Sequence, residues 1–146
     1  MISETVGTRH YQQLMRLGPW GQGLYPITQP IQDGVSRLGI TTGLCTVFLR
    51  HTSASLIIQE NADPDVLADL ESFMARLVPE SYGYRHCNEG PDDMPAHIRT
   101  ALTHSSETIP VMEGRLALGT WQGLYLWEHR RHPSTREIIL HVTGGA

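Results

Sequence analysis

The C-terminal third of the chain most restricts the fold, because it is a series of short strand-like runs set apart by glycine and proline. Segments 107–112, 115–118, 124–129 and 137–142 are rich in branched and aromatic residues, with Gly114, Gly119, Gly123 and His132-Pro133 as breakers. Upstream, 44–49 (LCTVFL) reads as a strand, and 54–59 alternates around Leu56 and Ile58 as another. Segments 8–17 and 22–26 carry weaker strand character. Helical spacing begins at Thr28 with Ile31, Val35 and Leu38; Pro30 stands in the first turn and Gly39 closes it. A second helix opens at Asp63-Pro64 and carries Val66, Leu67, Leu70, Phe73, Met74 and Leu77 as one apolar stripe. A shorter helix runs from about 95 to 102. Strands and helices mix without βαβ alternation, which predicts an α+β class with a largely antiparallel sheet. The 146 residues hold no repeat or linker, so one domain over 1–146 is expected.

The densest chemistry lies from His86 to His97, HCNEGPDDMPAH. Two imidazoles and the carboxylates of Glu89, Asp92 and Asp93 surround a Gly90-Pro91 turn that folds the segment back on itself. Imidazole nitrogen and carboxylate oxygen together suit a borderline divalent ion, zinc or, less naturally, magnesium. His97 sits near the start of the short helix, where phosphate and other anions are favoured. A polar surface loop with incidental histidines is the competing account, since the chain has 8 histidines.

Composition narrows the partners. The net charge of −4 and pI near 6.0 give no global field for nucleic acid or an anionic membrane. No lysine occurs, which excludes lysine Schiff-base chemistry and a phosphate-loop lysine. Cys45 lies in an apolar run as a core residue, and Cys87 beside His86 has no pairing partner in sequence, so no disulfide framework is expected. With no signal-like N-terminus and no apolar run near 18 residues, the expectation is a cytoplasmic protein.

Three further blocks offer functional groups. His51-Thr52-Ser53-Ala54-Ser55 follows a strand: His51 can serve as a third nitrogen ligand, and Thr52 and Ser53 can donate to an oxyanion. A serine near a histidine also raises a hydrolase, although no GxSxG elbow supports one. Glu60-Asn61 stands between strand and helix, a common place for binding residues. In Gly119-Thr120-Trp121-Gln122-Gly123, Trp121 can stack on a flat ring, or pack at an interface. Glu128 alternates in phase with Leu124 and Leu126, so it should face inward and need a partner, with Arg115 a candidate.

Taken together, these four blocks resemble the YjbQ family, also called UPF0047 or the secondary thiamine-phosphate synthase family. The likeness runs from about Gly43 onward, with four motifs in family order, GTWQG the most specific; the N-terminal part matches loosely. The resemblance implies a small α+β domain with a curved sheet, assembled as a homotrimer around histidine-lined, metal-compatible pockets. It implies a transferase that joins hydroxymethylpyrimidine diphosphate to thiazole phosphate and releases diphosphate. On this motif match His51, His86 and His97 are the pocket histidines, surrounded by Glu89, Asp93, Asn61, Trp121, Gln122 and Glu128. The metal set would be His51, His86 and His97 with Glu89, or alternatively Asp93, as fourth ligand or as orienter of an imidazole N–H; the catalytic set would be the same histidines with Glu128. Thr52, Ser53, Asn61, Asp93, Arg115, Trp121 and Gln122 would contact a small phosphorylated substrate. Two alternatives use the same residues: a non-catalytic trimeric metal- or ligand-binding module, and a metal-assisted phosphoesterase.

Overall fold

The computed structural model describes residues 2–5 and 7–146. Its elements run β1 (Arg9–Trp20), β2 (Gly23–Pro26), α1 (Thr28–Ser36), β3 (Thr42–Leu49), β4 (Ala54–Glu60), α2 (Pro64–Leu77), α3 (Asp93–Leu102), β5 (Ser106–Met112), β6 (Arg115–Leu116), β7 (Gln122–Glu128) and β8 (Ser134–Gly145). Every strand pairing is antiparallel. The strands form a five-stranded sheet, β1-β8-β3-β5-β6, and a three-stranded sheet, β2-β7-β4. The α+β class is therefore as expected, with the strands divided between two sheets.

Alternation decides which side of the large sheet is buried. In β3, Cys45, Val47 and Leu49 are buried, while Leu44 and Phe48 are exposed. The inward residues of β3, β5 and β8 meet those of β4 and β7, and α1 adds Ile31 and Val35 to the same core. Gly34 lets α1 approach β8: a Cβ there would lie 2.6 Å from the Leu140 side chain. β3 and β8 come still closer where Gly43 faces Gly144, since a Cβ on either would meet a carbonyl oxygen at 2.2 Å.

Four expectations are corrected. β1 and β8 are each 12 residues long, because their mutual register continues past the segments with strong alternation. β6 has only two residues, ending where 117–121 turns toward β7. α3 begins at Asp93, two residues before Pro95, which the first turn accommodates. The fourth concerns α2: Asp63 caps it through Asp65 N as expected, yet none of its residues is buried. Phe73 and Leu77 of its apolar stripe are more than half exposed. Among the described residues, no helix is long and apolar enough to cross a membrane.

Candidate metal centre

β4 and β7 pair so that Ala54 faces Glu128, which brings the segments before β4 and after β7 to the same end of the small sheet. Residues 51–53 and 129–131 lie there, and the first turn of α3 packs against them through His97 and the Asp92–Arg130 contact. Positive φ at Gly90 (103°) turns the chain into α3; a Cβ there would press on the Asp92 carboxylate.

α3 places Asp93 and His97 one turn apart on one face. His86, from the preceding loop, completes a group whose donor atoms all lie within 4.8 Å of one another. Asp93 Oδ2 is 2.6 Å from His86 Nε2 and 3.2 Å from His97 Nε2. Its other oxygen, Oδ1, accepts from Arg130 Nη1 at 2.5 Å. Arg130 is engaged through all three nitrogens, donating also through Nε to Asp92 Oδ2 and through Nη2 to the Glu89 carbonyl. Asp92 Oδ2 accepts from the Arg131 backbone N–H as well. Burial alone would raise the Asp93 carboxyl, but the His86 hydrogen bond and the charges of Arg130 and His97 hold it below the ordinary carboxylate range. Asp92 is likewise held down, by the Arg131 and Arg130 hydrogen bonds acting against burial.

One contact decides what this group requires. His97 Nδ1 lies 3.0 Å from the Thr52 carbonyl oxygen, which can only accept, so Nδ1 carries the proton. In the neutral ring Nε2 is then a bare lone pair, and an anionic oxygen lies 3.2 Å from it. Two acceptors at that distance repel unless a cation joins them, either a proton on His97 or a metal ion. Nitrogen and oxygen donors about 2.1 Å from zinc in a tetrahedral site stand roughly 3.4 Å apart, close to the His97–Asp93 spacing. The 2.6 Å His86 contact is a hydrogen-bond distance and would lengthen on ligation. A backbone carbonyl behind one imidazole and a guanidinium behind the carboxylate are the supports that orient ligands in metal sites. The residues thus fit a three-donor centre.

Not every sequence-predicted residue joins it. His51 is not in the group: its Nε2 accepts the Glu137 backbone N–H at 2.8 Å, and burial, then the Arg136 charge, push its pKa down. Asp93, expected beside the substrate or, as an alternative to Glu89, beside the metal histidines, is the carboxylate that lies against both rings. Glu89 is exposed, with Oε2 3.7 Å from His86 Nε2, and also stands outside the group. Cys87 is exposed next to Asn88 and contributes no donor to the group.

Glu128 does face inward, fully buried, but its partner is Arg136 and not Arg115. Arg136 donates Nε to Oε2 (2.6 Å) and Nη2 to Oε1 (2.5 Å), and Nη2 also reaches Ser53 Oγ at 3.0 Å. The Ser53 hydroxyl is therefore engaged, the Thr52 contribution is its carbonyl, and Arg115 is exposed on β6. Ser55 does meet a histidine, His129, at 2.9 Å; both are buried and closed to a substrate. Burial holds the His129 pKa down at about 3. Arg130 and Arg136 carry no local signal in the sequence, because their partners are distant in the chain: Arg130 meets the loop and start of α3, and Arg136 reaches from the large sheet to Glu128 on the small one.

Asn61, Trp121 and Gln122 lie at the other end of the β4–β7 ladder, where Glu60 faces Gln122. Seven residues of strand separate Trp121 from Glu128, on the order of 20 Å. Asn61 Nδ2 donates to the Thr120 and Gln122 carbonyls, and Gln122 Oε1 accepts from Gly119 N, so both amides latch the turn that presents Trp121. Trp121 is 65% exposed. Within one chain the structure does not bring this turn to the imidazoles.

A curled antiparallel α+β domain with a His/Asp cluster at one sheet end is the architecture to compare. The family model described as "UPF0047 protein YjbQ-like" matches residues 15–145, and the chain belongs to that family. The match reaches well before Gly43, including part of β1. A UPF0047 protein of Synechocystis is 59% identical over 99% of both chains. UPF0047 protein YjbQ of Salmonella typhimurium is 45% identical over 92% of this chain and 98% of its own. A conserved hypothetical protein from Thermus thermophilus superposes with a TM-score of 0.77 at 32% identity, covering 87% of this chain and 97% of that one.

Proposed function

We propose that the chain is a thiamine-phosphate synthase-like transferase built around a divalent cation held by His86, Asp93 and His97. The observation that carries the reading is the gathering of the His86, Asp93 and His97 donor atoms within 4.8 Å of one another, with His97 Nδ1–H committed to Thr52 and Nε2 left free beside Asp93. Mixed imidazole and carboxylate donors favour zinc over magnesium, which prefers oxygen and water. When bound, such an ion would neutralise charge developing on a departing diphosphate.

The chain's own residues then divide the work. Arg130 fixes the Asp93 carboxylate, and Thr52 fixes the His97 ring. His86 stands on the wall of a 310 Å³ cavity with Tyr84 and Pro91, a size that suits a small phosphorylated ring, while Asp93 and His97 lie outside its lining. In the reaction the thiazole nitrogen attacks the exocyclic carbon of the pyrimidine, the carbon–oxygen bond breaks, and diphosphate leaves with the electron pair. Arg130 and Arg136 are both engaged in ion pairs and no lysine exists, so diphosphate affinity depends on the cation.

Assembly bears on the same site. The stacking residue Trp121 is too far from the imidazoles of its own chain, so in this reading it completes the site of a neighbouring copy. The exposed Phe73 and Leu77 of α2 support a homotrimer, as does the row Leu14–Ile139–Phe48 across the outer face of β1, β8 and β3. Three protein donors also suit water activation, which favours a metal-assisted phosphoesterase as the second reading. The test is thiamine phosphate formation by His86→Ala and His97→Ala proteins assayed with zinc supplied, beside the zinc-loaded parent. Loss of product in both, with the fold intact, is expected; full product in folded variants overturns the proposal. Phosphate release from phosphorylated small molecules without coupling would select the second reading.

A further inference from the structure

On the opposite side of α3 from His97, Arg99 is 7% exposed and has a sparse set of partners. A guanidinium has five N–H donors. Among the described residues only Nη2 finds an acceptor, the Val78 carbonyl at 2.9 Å, and Nε is buried with none. No carboxylate lies within ion-pair distance of Arg99 among the described residues. The acids whose fields reach it are paired elsewhere: Glu80 with Arg131, and Asp92 with Arg130. A buried guanidinium left this way is costly, and its free N–H groups are available to an anion that the chain itself does not supply.

Arg99 lines a 310 Å³ cavity between α2, α3 and β7, within the size range of small-ligand pockets. Met74, Ala75 and Trp127 give it an apolar wall, and Gln22 and Ser72 add neutral polar groups. Glu71 stands at its exposed side, and its carboxylate disfavours a dianion relative to a single charge. We infer that this cavity binds a small organic carboxylate, its charge on the Arg99 guanidinium and its apolar body against Met74 and Trp127. Arg99 is suited to this because its planar fork matches a carboxylate in a way a lysine ammonium does not. The site is separate from the metal centre and does not depend on it.

The experiment uses metal-free full-length protein, melted in benzoate, acetate, inorganic phosphate or chloride at equal ionic strength. Benzoate at large excess should raise Tm by roughly 5 °C over chloride, with acetate giving less and phosphate less again. Arg99→Lys should weaken the benzoate effect about tenfold by losing the fork. Ala75→Leu, which fills the cavity and leaves Arg99 in place, should abolish it while the chloride Tm holds. No benzoate shift in the parent protein overturns the inference, as does a shift that survives Ala75→Leu. A shift for phosphate but not benzoate overturns the ligand class. A shift lost in His97→Ala but kept in Arg99→Lys assigns the anion to the imidazoles, which also overturns it.

Discussion

Two polar clusters share one end of the small sheet, and they contain much the same residue types. In the first, Glu128, Arg136, Ser53, Ser55 and His129 are interlocked: the carboxylate meets a bidentate guanidinium, and the imidazole meets a hydroxyl. Its donors and acceptors face one another in matched pairs. In the second, His86, Asp93 and His97 gather around one carboxylate oxygen, and the free Nε2 of His97 lies 3.2 Å from that oxygen without a hydrogen bond to it. The matched cluster is a structural device. The mismatched one leaves an imidazole nitrogen free beside an anion, which either a proton or an added cation would offset.

The largest expected effect lies in the matched cluster. Replacing Arg136 by Ala leaves the Glu128 carboxylate buried and unpaired, and should cost about 3–5 kcal/mol. The double variant Glu128→Leu, Arg136→Met should lose less than either single substitution, because no uncompensated charge remains. Urea unfolding at fixed protein concentration measures this. If the single variants unfold like the parent, the pair does not support the fold and the contrast between the clusters disappears.

The mismatched cluster should respond in the opposite way. His97→Ala should alter the stability of metal-free protein little. In the parent, zinc at about 100 times its dissociation constant should add roughly 2.7 kcal/mol, and the variant should lose that gain. Asp93→Asn should also lose it, since the Arg130-held oxygen remains but the anionic ligand is gone. Melting with and without a chelator, together with metal analysis, checks both. Equal zinc responses in parent and variants would remove the centre.

A third test uses acid. His129 is neutral when folded, with a pKa near 3 against 6.5 for the free side chain. Between those values the unfolded chain holds the extra proton, so stability is complete above about pH 6.5 and falls as pH is lowered toward 3. The slope from this residue is at most about 1.4 kcal/mol per pH unit, or about 2 kcal/mol by pH 5. Asp92 and Asp93, held below 3.8, add a second loss as pH falls below that value. His129→Gln, which keeps a hydrogen-bonding group toward Ser55, should flatten the upper limb and spare the lower. A urea midpoint unchanged between pH 7 and pH 5 in the parent would contradict the neutral, buried His129.

The difference between the clusters also marks how far the sequence can be read. The Gly90-Pro91 turn and the spacing of His86 and His97 identify two of the three donors, because a turn and one helical step act locally. Period-two alternation places Glu128 inward, as the structure has it, but does not reveal its partner. Arg136 lies at the start of β8, in a stretch that reads as a breaker around His132-Pro133, and only the sheet register brings it to Glu128. His51 reads as a ligand because sequence cannot show that its Nε2 receives a backbone N–H from β8. The α2 stripe is legible as apolar, whereas its exposure in a single chain is not, since periodicity does not say what covers a face.

The smallest expected effect on stability concerns the turn at the far end of the ladder. Trp121 is largely exposed on a turn latched by Asn61 and Gln122, so Trp121→Ala should change unfolding by within about 0.5 kcal/mol. Its effect on catalysis tests whether the two ends of the small sheet meet between copies. If Trp121 completes a neighbour's metal centre, Trp121→Ala and His97→Ala proteins should each be nearly inactive alone. Unfolded together and refolded as mixed oligomers, they should regain activity, because one copy supplies intact imidazoles and the next supplies the ring. For a closed ring with random one-to-one mixing, about a quarter of sites are complete, and about a quarter of parental activity should return. If mixing restores nothing although each variant binds its expected complement of zinc, Trp121 serves no neighbouring centre, and the ladder's two ends have separate roles.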